Sequence, residues 1–517
     1  MNSNYILLFV LIYFIGLLYI SYRTSRNSDN QSFFIGNRKS KWWLVAFGMI
    51  GTSLSGVTFI SVPGTVGKLT GTEYVYGGFE YYPMVLGFFL GYFIVAFVLL
   101  PLYYKMNLTS IYTYLGNRFN TEAHKTGSVF FIISRCIGAT ARLFLVINVL
   151  QIFLLDALGV PFWVTTIVIL LMIVLYTYEG GVKTIVVTDT LQTTFMLLSL
   201  LICIVFVLFK LDMSFSQGYA KIAEYNYTHF FNWDSNSATY FFKNLIGGIF
   251  ITIGMTGLDQ EMMQKNISVD NLHNSKKNMI TFAGTLLIVN FAFLFLGGLL
   301  YLYAMQSGAV YGDGVFGFKN EQGEIVNIMG DDLFPALSLW GYFPGFIAIF
   351  FIIGLISALF PSADGALTSL TSSFCVDLLK MNDNTKISDK QKKRIRITVH
   401  IVFTLIFFLM ILIFKWINDK SIVYLIMNIA GYTYGPLLGL FAFGILTKRT
   451  ISLKYNIIGV ALIAPVITYL INEYFIHYTH YRIGVELIVL NGLLTFIGLW
   501  LISKQKNKTE DMGDETF

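Results

Sequence analysis

Thirteen predominantly apolar stretches follow one another along the chain, joined mostly by short polar connections. They fall at about 5–23, 43–68, 75–104, 124–156, 161–178, 184–210, 237–264, 275–305, 343–379, 394–417, 421–447, 452–475 and 484–503. A helix of roughly 20 apolar residues crosses about 30 Å of hydrocarbon. The runs are continuous and lack the period-two alternation of a membrane barrel, and in lipid only helices or closed barrels satisfy the backbone. The pattern predicts an all-α polytopic membrane protein with about 13 transmembrane helices.

Basic residues give these helices a direction, because Lys and Arg gather on the cytoplasmic side. With the N-terminus outside, inner connections and their flanks hold 25 of the 35 Lys and Arg residues, outer ones hold eight, and Arg135 and Arg142 stay within a span. The expected topology is N-terminus outside and C-terminus inside. The first run has no basic residue before it, while Arg23 and Arg26 follow. This reverses the charge order of a signal peptide and predicts a retained helix. The long outer connections, 211–236 and 306–342, are expected to form surface helices or a lid. Residues 504–517 form a charged cytoplasmic tail, expected to be disordered.

Composition narrows the class further. The chain is 56% hydrophobic and only 12% charged, and its formal net charge of +6 is scattered over many short loops. That distribution offers no nucleic-acid surface. Cys136, Cys203 and Cys375 lie far apart in apolar helices, without the spacing of a disulfide framework or a transition-metal site. His477 and His480 read as solvated surface. No nucleophile–base constellation stands out, so an enzyme is not expected.

Two spans depart from ordinary lipid-facing helices. The second carries Gly48, Gly51, Thr52, Ser53, Ser55, Gly56, Thr58, Ser61, Pro63 and Gly64. Such a density of small and hydroxyl residues suits either close helix packing or local unwinding, the device by which transporters free carbonyls for ions. In the ninth, Ala358, Pro361, Ser362, Gly365 and Ser369 share one helical face, with Asp364 beside them. An ionisable residue inside a membrane marks a functional site by default. Asp189 opens the sixth span, where it holds a cation, pairs with Lys183 or caps the helix. Arg135 and Arg142 lie two turns apart on the fourth span. They either pair with Glu80 or a carbonyl, or clamp an anionic solute bidentately. The oxygens of Ser362, Asp364, Asp189 and the region from Gly51 to Ser55 suit a small hard cation such as Na+.

Several motifs together resemble the sodium:solute symporter family. They are Gly180-Gly181 with Thr188-Asp189-Thr190-Leu191-Gln192, Gly257-Leu258-Asp259-Gln260 with Gln264, the run Ser357 to Leu367 with Thr371 to Asp377, and Gly431 to Gly439. The resemblance runs from about Tyr5 to Ser503. It implies a leucine-transporter-like core of two inverted five-helix repeats, 43–210 and 237–447, an extra N-terminal helix at 5–23 and two C-terminal helices within 452–503. It also implies Na+ as the coupling ion and the only metal. The common sodium site would use Gly51, Leu54, Ala358, Pro361 and Ser362. A second sodium site, present in some members, would use Asp189, Asp364 and Gly365. The solute site would use Ser55, Thr58 and Arg142, with Arg135 and Glu80 as further candidates.

Two departures from the family pattern stand out. Pro361-Ser362 replaces the usual pair of hydroxyl residues, and Asp364 and Gly365 stand where serines occur. Proline releases the carbonyl of Ser357, which can compensate. The number of coupled ions, one sodium, two, or sodium with a proton, stays open on the sequence. The resemblance implies a sodium-coupled symporter in a bilayer, expected to be the bacterial cytoplasmic (inner) membrane, that imports a small carboxylate-bearing solute such as a sialic or sugar acid. A neutral sugar or polyol, met by Glu80, Phe79 and Tyr82, is the alternative, and a solute sensor without transport is the alternative from another class. No obligate protein partner is implied.

Overall fold

A computed structural model describes residues 3–25, 30–67, 77–178, 181–237, 239–312, 315–320, 323–381, 386–417, 422–451, 456–479, 481 and 483–505. Most of the charged tail, with Gly180 and His480, lies outside them. The chain opens with α1 (Ser3–Ser25) and then a bent pair, α2 (Trp42–Ser53) and α3 (Gly56–Gly64), whose axes differ by 55°. Next come α4 (Tyr82–Ile94), α5 (Thr121–Leu150), α6 (Phe162–Thr177) and α7 (Gly181–Lys210). A second bent pair, α8 (Phe241–Thr252) and α9 (Gln260–Ile267), turns by 64° and leads into α10 (Leu272–Ser307).

The remaining helices complete the bundle. A three-stranded antiparallel sheet, β1 (Ala309–Gly312), β2 (Val315–Lys319) and β3 (Ile325–Ile328), and the short helix α11 (Leu333–Leu339) lie in the long connection 306–342. The sheet was not among the surface helices or lid expected of the two long connections, whereas a helix at Phe215–Glu224 in 211–236 was. Then follow α12 (Gly345–Ser373), α13 (Asp389–Ile417), α14 (Ile422–Leu446), α15 (Asn456–Thr479) and α16 (Leu487–Ile502). Among the described residues, nine helices are long and apolar enough to cross a membrane, or 11 with each bent pair as one span. The count of 13 from the sequence also includes α6 and α16, of 16 residues each. At 1.5 Å per residue these are about 24 Å long, short of a full hydrocarbon thickness.

Both breaks have local causes. Leu54 and Ser55 leave helical geometry (ψ 70° and 177°), and no side chain caps either arm. The last carbonyls of α2 therefore lack their helical partners. At the second break the Asp259 carboxylate accepts the amides of Glu261 and Met262 at 2.9 and 3.3 Å, an N-cap that starts α9 afresh. Helix α12 forms the centre of the bundle. Every residue from Gly354 to Ser373 is buried, whereas α1, α13 and α15 are peripheral, with only 22% of their apolar windows covered.

The 306–342 connection closes over α3. Ser61 donates to Asp331 at 2.8 Å, Tyr301 donates to the Gly64 carbonyl at 2.9 Å, and Phe59 stacks on Phe334 with ring centroids 5.5 Å apart. Gly64 is required here, since a Cβ would lie 2.7 Å from the carbonyl carbon of Gly330. Burial raises the Asp331 carboxyl to about 7, the Ser61 hydrogen bond opposing it and the neighbouring Asp332 adding to it.

A released Asp331 returns to the ordinary carboxylate value, so the docked connection binds more protons between about pH 4 and pH 7. Docking is then strongest below pH 4 and weakens progressively up to pH 7. Hydrogen exchange over 330–339, corrected for its intrinsic pH dependence, should rise between about pH 4 and pH 7 and level off above. Asp331→Asn should reduce that rise, leaving the part contributed by Asp332, which burial raises to about 6.

Candidate ion and solute site

Helices α2, α7 and α12 approach one another through side chains that are absent. A Cβ on Gly48 would lie 3.1 Å from Cβ of Asp189, and one on Gly51 would lie 2.3 Å from Oγ1 of Thr193 and 3.5 Å from Cγ of Pro361. The unpaired carbonyl end of α2 is thereby set against α7 and against the Ala358–Pro361–Ser362 face of α12. The buried atoms Ser362 Oγ, Thr193 Oγ1 and Asp189 Oδ1 on the facing helices, and Asp364 Oδ1 and Thr368 Oγ1 further along α12, find no hydrogen-bond partner among the described residues. Orphaned buried oxygens are rare in native proteins. Hydroxyl, carbonyl and carboxylate oxygens form a donor set suited to a hard cation. The candidate residues Gly51, Leu54, Ala358, Pro361 and Ser362 all belong to this junction, Leu54 as the break itself.

A continuous line of buried charge runs from α7 into the second bent pair. Asp189 Oδ2 accepts from Lys265 Nζ at 2.7 Å and from Thr52 Oγ1 at 3.2 Å, and the same ammonium reaches Thr52 Oγ1 at 2.6 Å. Glu261 Oε1 lies 3.6 Å from Lys265, and the other oxygen of Glu261 is bonded to Arg135. Arg135 also faces Asp259 Oδ2 at 3.7 Å, where Tyr434 donates at 2.7 Å. Asp189 is therefore engaged by Lys265, not by Lys183, and Arg135 by Glu261 and Asp259, not by Glu80. Asp364 stands somewhat apart, with the Tyr176 hydroxyl at 2.7 Å and no basic group within ion-pair distance among the described residues. Gly365 faces Glu261, whose Oε1 would be 2.2 Å from an added Cβ.

Beside the first break lies a cavity of about 110 Å³. Ser55 and Thr58 line it from the break and α3, Arg135 and Arg142 from α5, and Tyr81, Phe88 and Tyr92 from α4 and the residue before it. Arg142 makes no ion pair among the described residues. Glu80 is not part of this lining. It binds His229 Nε2 at 3.0 Å, beside the 211–236 connection. Phe79 and Tyr82 likewise pack against Phe230 and Phe291.

Lys265 and Glu261 were missed by reasoning from the sequence. Both lie where the seventh span ends, and Lys265 counts among the inner basic residues that set the orientation. The bend at Gly257–Asp259 instead folds α9 back into the bundle, leaving Lys265 only 3% exposed. The i, i+4 spacing of Glu261 and Lys265 was the available signal.

Comparison with known proteins agrees with this picture. The sodium:solute symporter family matches residues 33–453. The chain is 25% identical to the sodium/sialic acid symporter of Proteus mirabilis over 463 residues, 86% of this chain and 85% of the relative. It is 24% identical to that of Aliivibrio fischeri over 498 residues, 95% and 92% of the two chains. A solved substrate-bound, outward-open Na+-coupled sialic acid symporter shares its fold, with a TM-score of 0.77, 21% identity and coverage of 98% of this chain and all of the other.

Gly51→Ala should destabilise the protein by about 1–3 kcal/mol, the usual result of overpacking, measured as a drop in melting temperature in detergent. Adding Thr193→Ala removes the colliding hydroxyl and should recover most of the loss, a coupling that distant sites do not show.

Proposed function

The chain belongs to the sodium:solute symporter family, and on that premise we propose that it imports a small organic anion of the sialic or sugar acid class together with sodium. The reading places it in a cytoplasmic membrane, N-terminus outside, with the repeats at 43–210 and 237–447 moving against each other. It rests above all on Arg142, a guanidinium that lines the cavity beside the broken helix and has no ion-pair partner of its own among the described residues. A planar five-donor fork in that position suits a carboxylate. The two relatives that align over most of their length carry sialic acid in their names.

Sodium at the junction of α2, α7 and α12 would be held by the carbonyl end of α2, by Ser362 and by Thr193. Charge at the end of α2 fixes the break, and the break positions Ser55 and Thr58 in the cavity. The ion therefore prepares the solute site without touching the solute. Coupling requires that both ligands favour the same conformation, because a ligand shifts an equilibrium only by its differential affinity. Pro361 removes one amide from α12 and leaves the Ser357 carbonyl without its helical partner, a further oxygen one turn before Ser362.

Proteoliposomes with purified protein should accumulate N-acetylneuraminate only under an inward sodium gradient. Arg142→Ala should weaken the solute by roughly 10- to 100-fold, the worth of a lost charge-assisted hydrogen bond, with sodium affinity little changed. Arg142→Lys should recover part of it. Uptake independent of sodium, or an Arg142→Ala protein with unchanged solute affinity, defeats the reading.

A further inference from the structure

We infer that the Lys265 ammonium is a tethered cation occupying the place of a second sodium ion, so that this symporter binds a single Na+. The inference deepens the symport reading and rests on it.

The ammonium is coordinated as an alkali cation would be. Asp189 Oδ2 stands at 2.7 Å, Thr52 Oγ1 at 2.6 Å and Glu261 Oε1 at 3.6 Å, and the side chain is sealed from solvent. Those oxygens come from α7, α2 and α9, the elements that surround Asp189. A sodium ion added about 4 Å from this charge would meet a repulsion that lowers its affinity roughly a thousandfold.

Departures on α12 fit the same substitution. The second sodium site expected from the resemblance would draw on hydroxyl residues where Asp364 and Gly365 stand. With no side chain at 365 the space is taken by the Glu261 carboxylate, 2.2 Å from where a Cβ would be. Glu261 in turn draws Lys265 toward α7. The absent side chain at 365, the Glu261 carboxylate and the Lys265 ammonium thus meet at one place.

Charge balance leaves room for one ion. The cluster holds Asp189, Asp259, Glu261 and Asp364 against Arg135, Arg142 and Lys265, one negative charge in excess when all are ionised. Asp364 is the carboxylate without a basic partner within ion-pair distance, and the orphaned oxygens of Ser362, Thr193 and Thr368 accompany it in the core. In the solute-free protein one monovalent cation neutralises the set, and a second would leave it positive.

Equilibrium binding of 22Na+ to purified, solute-free protein decides the matter. The wild type should bind one ion per chain with a Hill coefficient near 1, and Lys265→Met should bind two. Two ions on the wild type overturn this inference alone, and so does a folded Lys265→Met protein that still binds one. No ion on the wild type overturns the symport reading as well. Should Lys265→Met fail to fold, the wild-type count still decides, and Lys265→Gln supplies a polar replacement. Transport gives an independent check, since one sodium with one monocarboxylate moves no net charge. Wild-type N-acetylneuraminate uptake should not respond to a potassium–valinomycin diffusion potential, and stimulation by an inside-negative potential overturns the inference.

Discussion

Ionised side chains inside a bilayer must be matched to one another, because an unpaired buried charge costs several kcal/mol. Here the matching is done by Lys265 and Glu261 on one short helical arm. Through them α9 is tied to Asp189 of α7, Thr52 of α2 and Arg135 of α5. Other features of the core follow from that requirement. Gly365 makes room for Glu261, Gly48 admits Asp189, and Asp259 both caps α9 and extends the charge line to Tyr434. Any rearrangement that separates α9 from α7 must keep these pairs or supply replacements. The α2 and α9 arms of the two bent spans are thus bound electrostatically to α7, while α3 is held to the 306–342 connection by a hydroxyl contact and aromatic packing.

Much of this was legible in the residues themselves, for reasons that differ from place to place. The unwinding of the second span could be read from its Gly, Ser and Thr content, because no uniform lipid-facing helix is built that way, and the break falls at Leu54–Ser55. The approach of Gly51, Asp189 and the Pro361–Ser362 face could be anticipated, since intramembrane polar residues must face the bundle. Choosing partners was harder. Asp189 lies six residues from Lys183 and 76 from Lys265, yet the distant lysine is the one in contact. A bend of 64° carries no hydropathy signal, so Glu261 stayed an unremarked residue within the seventh span and Lys265, one residue beyond it, counted as inner surface. The partner of Glu80 was equally out of reach, since His229 lies 149 residues away on a connection that folds beside it.

A final consequence concerns α1, which lies at the rim of the bundle with most of its surface toward lipid. Its Tyr13 nonetheless reaches Ser357 of α12 at 2.7 Å, the residue whose carbonyl Pro361 leaves free. A peripheral helix therefore touches the turn that precedes Ser362. Tilt of such a helix answers to hydrocarbon thickness. Acyl-chain length in the surrounding leaflets accordingly has a mechanical path, one hydrogen bond long, to the geometry of the proline turn.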